Sequence, residues 1–284
     1  MKKYFSNKSK KSLNCIINNS KVKYGICVLD INGNIIYAYN ENELFDTACS
    51  IMSFIMLEYF SQEAKGKISG KELLTYTEEN YASGSGIIKY LTYGRKIRAK
   101  DLVELMIATS DHIAANMLID FLKIENINST IRNNGFIVTK LYHKFLIPKL
   151  KNMGITSPYE LSLFYFKLIN NKLINSEACN EMIRILLLQK YKDILTDKID
   201  KNDSCYINAA CKSGKADGRI YDNSTDSYIV DAGIIYNNKE HYCISIMGEI
   251  NYKSCASLNI AKDEMQTMSM IIYEEMKRNE DFIY

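Results

Sequence analysis

The chain has 284 residues, 47% of them apolar and 24% charged, an ordinary globular composition that excludes intrinsic disorder. Its 36 Lys and Arg against 33 acids leave a net charge of +3, too mild for the basic stripe of a nucleic-acid binder, and no apolar run approaches the roughly 18 residues that span a bilayer. A chain of this size buries roughly three quarters of its unfolded surface, so one large domain or two intimate subdomains need no disulfide staples.

Residues 3–18 read as a basic amphipathic helix. Residues 24–30 and 35–39 then read as two short strands around Asn32-Gly33, a strong hairpin signal. From about 46 to 200 the pattern turns helical. Asp46 and Thr47 are placed to cap a helix running through Tyr59; segments 100–108 and 112–122 follow, and Ser157-Pro158-Tyr159-Glu160 opens another helix. Strands return at 207–210, 228–236 and 242–250. A last helix over about 257–278 sets Ile260, Met265, Met268, Ile272 and Met276 along one stripe. The two ends are thus hairpin plus helix, and the middle is helical. The expected architecture is α+β: residues 1–45 and 200–284 build an antiparallel sheet flanked by the terminal helices, residues 46–199 an inserted helical subdomain, and a cleft lies between them.

The basic start of the chain has no uninterrupted apolar stretch of the length that makes a signal peptide. Cysteines 15, 27, 49, 179, 205, 211, 243 and 255 show neither a Cys-x-x-Cys pair nor a cluster. They read mostly as small buried hydrophobes in a reduced compartment. A cytoplasmic location is therefore expected, the alternative being export with a signal already removed. No metal constellation, phosphate-cradling glycine loop or organic cofactor signature is present, so no cofactor is expected.

Three short segments fall where the cleft is expected: Ala48-Cys49-Ser50-Ile51-Met52 at a helix start, Ser110-Asp111-His112 with Asn116 between two helices, and Lys212-Ser213-Gly214 at a strand end. Their order resembles Ser-x-x-Lys, Ser-Asp-Asn and Lys-Thr/Ser-Gly, the motif set of class A β-lactamases and penicillin-binding proteins. The segment from Gly84-Ser85-Gly86-Ile87 to Asp101-Leu102-Val103-Glu104-Leu105 and on to Ser110-Asp111 resembles the family's approach to Ser-Asp-Asn. Asp231-Ala232-Gly233-Ile234-Ile235-Tyr236 resembles its next strand. The resemblance covers roughly residues 12 to 280.

The resemblance implies Cys49 at the nucleophile and Met52 at the lysine, because Phe45 stands four residues ahead as an aromatic often does in the family. A shift by one puts Ser50 and Ser53 there instead, and either register lacks the lysine. A serine needs a neighbouring base, whereas a thiol near pKa 8.5 at a helix N-terminus is partly ionised already. Alternatively, Cys49 and Met52 are core residues of a decayed site. The family's omega-loop glutamate should fall in TKLYHKFLIPKLKNMGITS, residues 139–157, which contains no carboxylate. His143 is the only titratable substitute near neutral pH, and Glu160 beyond it reads as support for the next helix N-terminus.

By the same resemblance Ser110 shuttles a proton, Asp111 buttresses its turn and Asn116 is structural. Lys212 stands at a catalytic position of the family and, with Ser213 and Gly214 as substrate-binding residues, forms a carboxylate-binding wall. His112 replaces a substrate-binding asparagine without reproducing the amide's paired donor and acceptor. Losing functions that serve three different steps favours a non-hydrolytic homologue or ligand-binding module that keeps the cleft. The alternative is a hydrolase or acyl-transfer enzyme with Cys49 as nucleophile and Ser110 as proton carrier. The implied partner is a small molecule of β-lactam or acyl-peptide type. A surface-interaction role for the lysine-rich segment 140–151 is a third, weaker reading. The sequence leaves the oligomeric state open.

Overall fold

The computed structural model describes residues 5–145, 153–199, 208–218, 226–236 and 241–278. Ser6 caps α1 (Asn7–Asn19) by accepting the Ser9 N–H. β1 (Lys23–Leu29) and β2 (Ile35–Tyr39) form the expected hairpin. Gly33 supplies the left-handed φ of +83° that its turn needs, and the Asp30 carboxylate accepts the N–H groups of Asn32 and Asn34, both at 2.8 Å.

The helical middle begins after β3 (Phe45–Asp46) with a 3-10 turn, Ala48–Ile51, that runs into α2 (Met52–Ala64). β4 (Leu73–Thr75) pairs with β5 (Lys96–Arg98). Then come α3 (Ala99–Ala108), α4 (His112–Leu122), α5 (Ile124–Asn133), β6 (Lys140–Leu141), β7 (Gly154–Thr156), α6 (Pro158–Ile169) and α7 (Ser176–Leu187). The chain returns to the sheet with β8 (Asn208–Ala216), β9 (Ser227–Tyr236) and β10 (His241–Ile250), and ends in α8 (Leu258–Arg278).

The five long strands form one antiparallel sheet in the order β2-β1-β10-β9-β8. The N-terminal hairpin therefore joins the C-terminal strands through β1 and β10, as the sequence predicts. Alternation along each strand feeds two cores. Ile26, Val28, Ile244 and Ile246 pack with Leu13 and Ile17 of α1 and Met265, Met268 and Ile272 of α8. Cys27, Leu29, Val230, Ala232 and Ile234 pack with the helical middle.

α2 is buried from Met52 through Ser61, the mark of a helix enclosed by its neighbours rather than lying on a surface. Each large apolar side chain buried there contributes about 1.5–3 kcal/mol. The helix whose N-terminal turn carries Cys49 is thereby fixed in place.

Several expectations need correction. Ile260 is 48% exposed and does not belong to the buried stripe of α8, which Ala261 joins instead. The Thr47 hydroxyl does not cap α2 but faces Gly154 O at 3.2 Å, while the Asp46 carboxylate accepts the Ala48 N–H at 2.7 Å. The buried Glu160 carboxylate turns away from its own helix start. It accepts the N–H groups of Ile137, Val138 and Thr139 together with the Thr139 hydroxyl, and so shapes the segment ahead of β6. Residues 3, 4 and Ile207 of the predicted elements lie outside the described residues, as does Cys205. Cys27, Cys49, Cys179, Cys211 and Cys243 are buried free thiols, whereas Cys15 and Cys255 are free and exposed. No helix among the described residues is long and apolar enough to cross a membrane.

Candidate active site

The three motif segments converge where the start of α2 meets β8. A Cβ on Gly214 would stand 2.4 Å from the Cys49 backbone nitrogen and 3.0 Å from its Cα. Only glycine lets the strand pass so close to that turn. Ala48 is held at φ +40° just before Cys49, and Ser110 at φ +51° just before Asp111. Such left-handed non-glycine residues cost on the order of 1–3 kcal/mol each and persist where the surrounding structure over-determines them. Both sit in the convergent segments.

Cys49, not Ser50, brings its side chain to this junction. Ser50 is fully buried and donates its hydroxyl to Thr47 O at 2.7 Å, while Ser53 pairs with the Tyr165 hydroxyl at 3.2 Å. The Cys49 Sγ lies 3.4 Å from His112 Nε2, and Cys49 is 6% exposed. His112 Nδ1 lies 3.1 Å from the Ser83 carbonyl oxygen. A carbonyl only accepts, so Nδ1 carries the hydrogen in every protonation state and Nε2 is the titrating atom facing sulfur.

The charges agree with that orientation. Burial pushes the Cys49 thiol up, but the His112 charge and N–H, with Lys212 behind them, pull it below its ordinary value against the opposing Asp46 carboxylate. Burial pushes His112 down, and the facing thiolate brings it above its ordinary value. Both shifts run toward thiolate and imidazolium, and the helix N-terminus under Cys49 acts in the same direction.

Lys212 is fully buried and donates to Ser110 Oγ at 2.5 Å and to Ser213 O at 2.8 Å. Burial lowers its pKa, against the pull of Cys49 and Asp231. The Ser213 hydroxyl is turned onto Tyr191 O at 2.8 Å. Asp111 caps α4 through Oδ1, which accepts Ile113 and Ala114 N–H at 3.0 Å. Its Oδ2 accepts Ile87 and Ile88 N–H at 2.7 and 3.0 Å, so one carboxylate ties the loop carrying Ser83 to α4.

Asn116 clamps Phe145 from both sides: Oδ1 accepts the Phe145 N–H at 2.7 Å, and Nδ2 donates to Phe145 O at 3.3 Å and Asn80 O at 3.2 Å. The Phe145 ring packs against the imidazole of His112 with centroids 5.1 Å apart. Met52 is fully buried in the core one turn beyond Cys49. His143 Nδ1 lies 2.8 Å from Lys144 O.

The profile of the Beta-lactamase enzyme family matches residues 8–276, almost the whole chain. The chain belongs to that family.

Solved structures share the fold. A β-lactamase from Sphaerobacter thermophilus DSM 20745 superposes with a TM-score of 0.82 at 18% identity over 95% of this chain and 97% of that one. A variant of PBP-A, solved as its acyl-enzyme complex with penicillin G, gives 0.82 at 19% identity over 97% and 98%. The extended-spectrum β-lactamase TLA-1 gives 0.83 at 14% identity over 96% and 99%. No curated protein matches the chain.

Within this β-lactamase-family site, sequence reasoning missed the Cys49–His112 contact and the involvement of Ser83 and Phe145. A histidine directly after Ser110-Asp111, at the first residue of a helix facing the turn that carries Cys49, was the available signal. Among the described residues no three His, Cys, Asp or Glu side chains are grouped to hold a metal ion.

One buried acid near the site makes stability depend on pH. Asp231 is fully buried opposite Ser213 in the β8–β9 register, takes the Leu195 N–H at 3.3 Å on Oδ2, and has no partner on Oδ1. Burial pushes its pKa up to about 8 against the lowering effects of the Leu195 N–H and Lys212. The native state therefore holds this proton between pH ~4, where the unfolded carboxyl releases it, and about 8. Stability falls as pH rises through that window, by on the order of a few kcal/mol. Asp231→Asn is expected to remove that loss, so that urea midpoints at pH 6 and pH 9 differ less than in the wild type. An undiminished difference in the variant would assign the pH dependence elsewhere.

Proposed function

We propose that this β-lactamase-family protein is acylated on Cys49 and holds the acyl group as a thioester, without efficient hydrolysis. The observation that carries this reading is the 3.4 Å approach of Cys49 Sγ to an imidazole oriented by a backbone carbonyl. Nucleophile, base and orienting group in that order form the arrangement that activates a thiol, and it dispenses with the lysine that Met52 replaces.

In the proposed step the Cys49 thiolate attacks the carbonyl carbon of a β-lactam or acyl-peptide carrying a free carboxylate. A C–S bond forms as the C–N bond breaks, and the departing nitrogen takes the proton from His112 Nε2. The Ser110 hydroxyl, with Lys212 behind it, is the second proton carrier at that nitrogen. Lys212, Ser213 and Gly214 form the wall that receives the carboxylate, and Asp111 and Asn116 hold the loops in place. Hydrolysis then lacks the family's carboxylate base, since residues 139–157 contain no Asp or Glu.

A purely ligand-binding reading draws support from the burial of Cys49, which is 6% exposed. One experiment separates the two. Purified protein incubated with penicillin G is expected to gain one acyl mass on the peptide containing Cys49, and to release product from a chromogenic cephalosporin no faster than a matched inactive control after the first equivalent. Absence of the adduct would leave the ligand-binding reading. Sustained turnover that Cys49→Ala abolishes would make the protein a thiol hydrolase instead.

A further inference from the structure

The imidazole that faces Cys49 is held at three places, and two of them belong to the chain's backbone and to the sulfur itself. The third is a side chain. Phe145 is 2% exposed and lies with its ring tilted 38° to the His112 ring, centroids 5.1 Å apart. Its own position is set by the Asn116 amide, which bonds both its N–H and its carbonyl, so the ring has little freedom to slide. Rotation of the imidazole about its side-chain bonds would carry Nδ1 off the Ser83 carbonyl and drive the ring against Phe145.

We propose that Phe145 is the positioning residue of the Cys49–His112 pair: its ring fixes the imidazole plane and favours the imidazolium, and Asn116 anchors it. This rests on the reading of Cys49 as an activated nucleophile. An aromatic face within about 6 Å of a cation stabilises the charged form, more so when water is excluded. By raising the share of His112 that is protonated, the ring keeps a proton on Nε2 for the nitrogen that departs when the C–N bond breaks. The role is independent of substrate, because it acts on the resting pair.

The other charged groups facing the pair are Lys212 from β8 and Asp46 from β3. Asp111 commits its carboxylate to four backbone N–H groups. None of these groups bonds to Phe145, so the shift in thiol titration expected on its replacement comes through the ring.

The test is the pH profile of Cys49 alkylation by iodoacetamide, read by peptide mass spectrometry on the intact chain. Phe145→Leu keeps an apolar group of similar size but no π face, and is expected to raise the midpoint by roughly 0.5–1.5 pH units. Phe145→Tyr restores the face and is expected to titrate like the wild type. Asn116→Ser frees the Phe145 backbone while keeping the ring, and is expected to raise the midpoint by a smaller amount; it also provides a second variant should Phe145→Leu fold poorly. A merely structural role would lower the melting temperature without moving the midpoint. An unmoved midpoint in folded Phe145→Leu overturns the inference while leaving the nucleophile reading intact. A wild-type midpoint at the ordinary thiol value near 8.5 overturns both.

Discussion

Replacing His112 by asparagine is expected to slow alkylation of Cys49 at pH 6.5 by on the order of 10–100-fold. The imidazolium is the largest influence drawing the thiol below its ordinary value, and burial opposes it. With the imidazole gone, Lys212 is the cation among the described residues that still acts on the thiol, and it is committed to Ser110 and Ser213. The thiol pKa must then rise, and each unit of rise removes about nine tenths of the thiolate at a pH below it. The sign is testable across the scale: the deficit is greatest at low pH and narrows as pH rises toward the variant's own, raised thiol pKa. Asparagine is smaller than histidine and can cap or bond at a helix start, so the α4 N-terminus held by Asp111 should survive. Superimposable rate profiles for His112→Asn and wild type would show that the 3.4 Å contact does no chemical work.

The fold was legible because its signals were local and agreed with one another. Asn32-Gly33 between two alternating segments fixes a hairpin, and Ser157-Pro158 fixes the start of α6, where Ser157 does accept the Glu160 N–H. What escaped had weaker or conflicting signals. α5 carries Asn and Thr among its ten residues and follows α4 through the single left-handed residue Lys123, at φ +73°, so no glycine or proline marks the break. α7 starts from an Asn175 cap in a stretch whose neighbouring asparagines all read as loop. Ile260 was assigned to the buried face because apolar spacing alone does not say where a helix first touches the sheet.

The site was legible in its residues and not in its contacts. The motif order placed Cys49, Ser110, His112 and Lys212 together, and the structure joins Cys49 to His112 and Ser110 to Lys212. Sequence gave His112 a substrate-binding role by analogy with the asparagine it replaces. Its distance to sulfur depends on the loop carrying Ser83, on Asp111 tying that loop to α4, and on the strained Ala48 beside Gly214. None of these has a sequence period. Phe145 escaped for a related reason: a water-activating group is legible only as a titratable side chain, and the position held by Asn116 carries an aromatic one.

Cys49→Ser combined with Met52→Lys is expected to recover acylation that Cys49→Ser alone loses, and to stop at one product per protein. The single variant should lose at least about 10⁴ in acylation rate, the scale on which removing a nucleophile's activation acts. A hydroxyl is scarcely ionised at neutral pH, and its shorter bond to Cβ draws it back from His112 Nε2. Position 52 stands three residues along the same helical start, so its side chain shares the face of residue 49. Met52 is 0% exposed, and an amine placed in so dry a site has a depressed pKa, so more of it is neutral and free to act as a base. The hydroxyl then regains a base, at some cost in stability that a thermal melt would record. Hydrolysis of the resulting ester still has no carboxylate from residues 139–157 to activate water, and Phe145 still packs on His112. Stopped-flow traces with a chromogenic cephalosporin should therefore show a burst equal to the protein concentration followed by a flat line. A linear phase of many turnovers would mean that His112 activates water once the ester has formed, and the proposal of a stalled acyl-enzyme would fall with it.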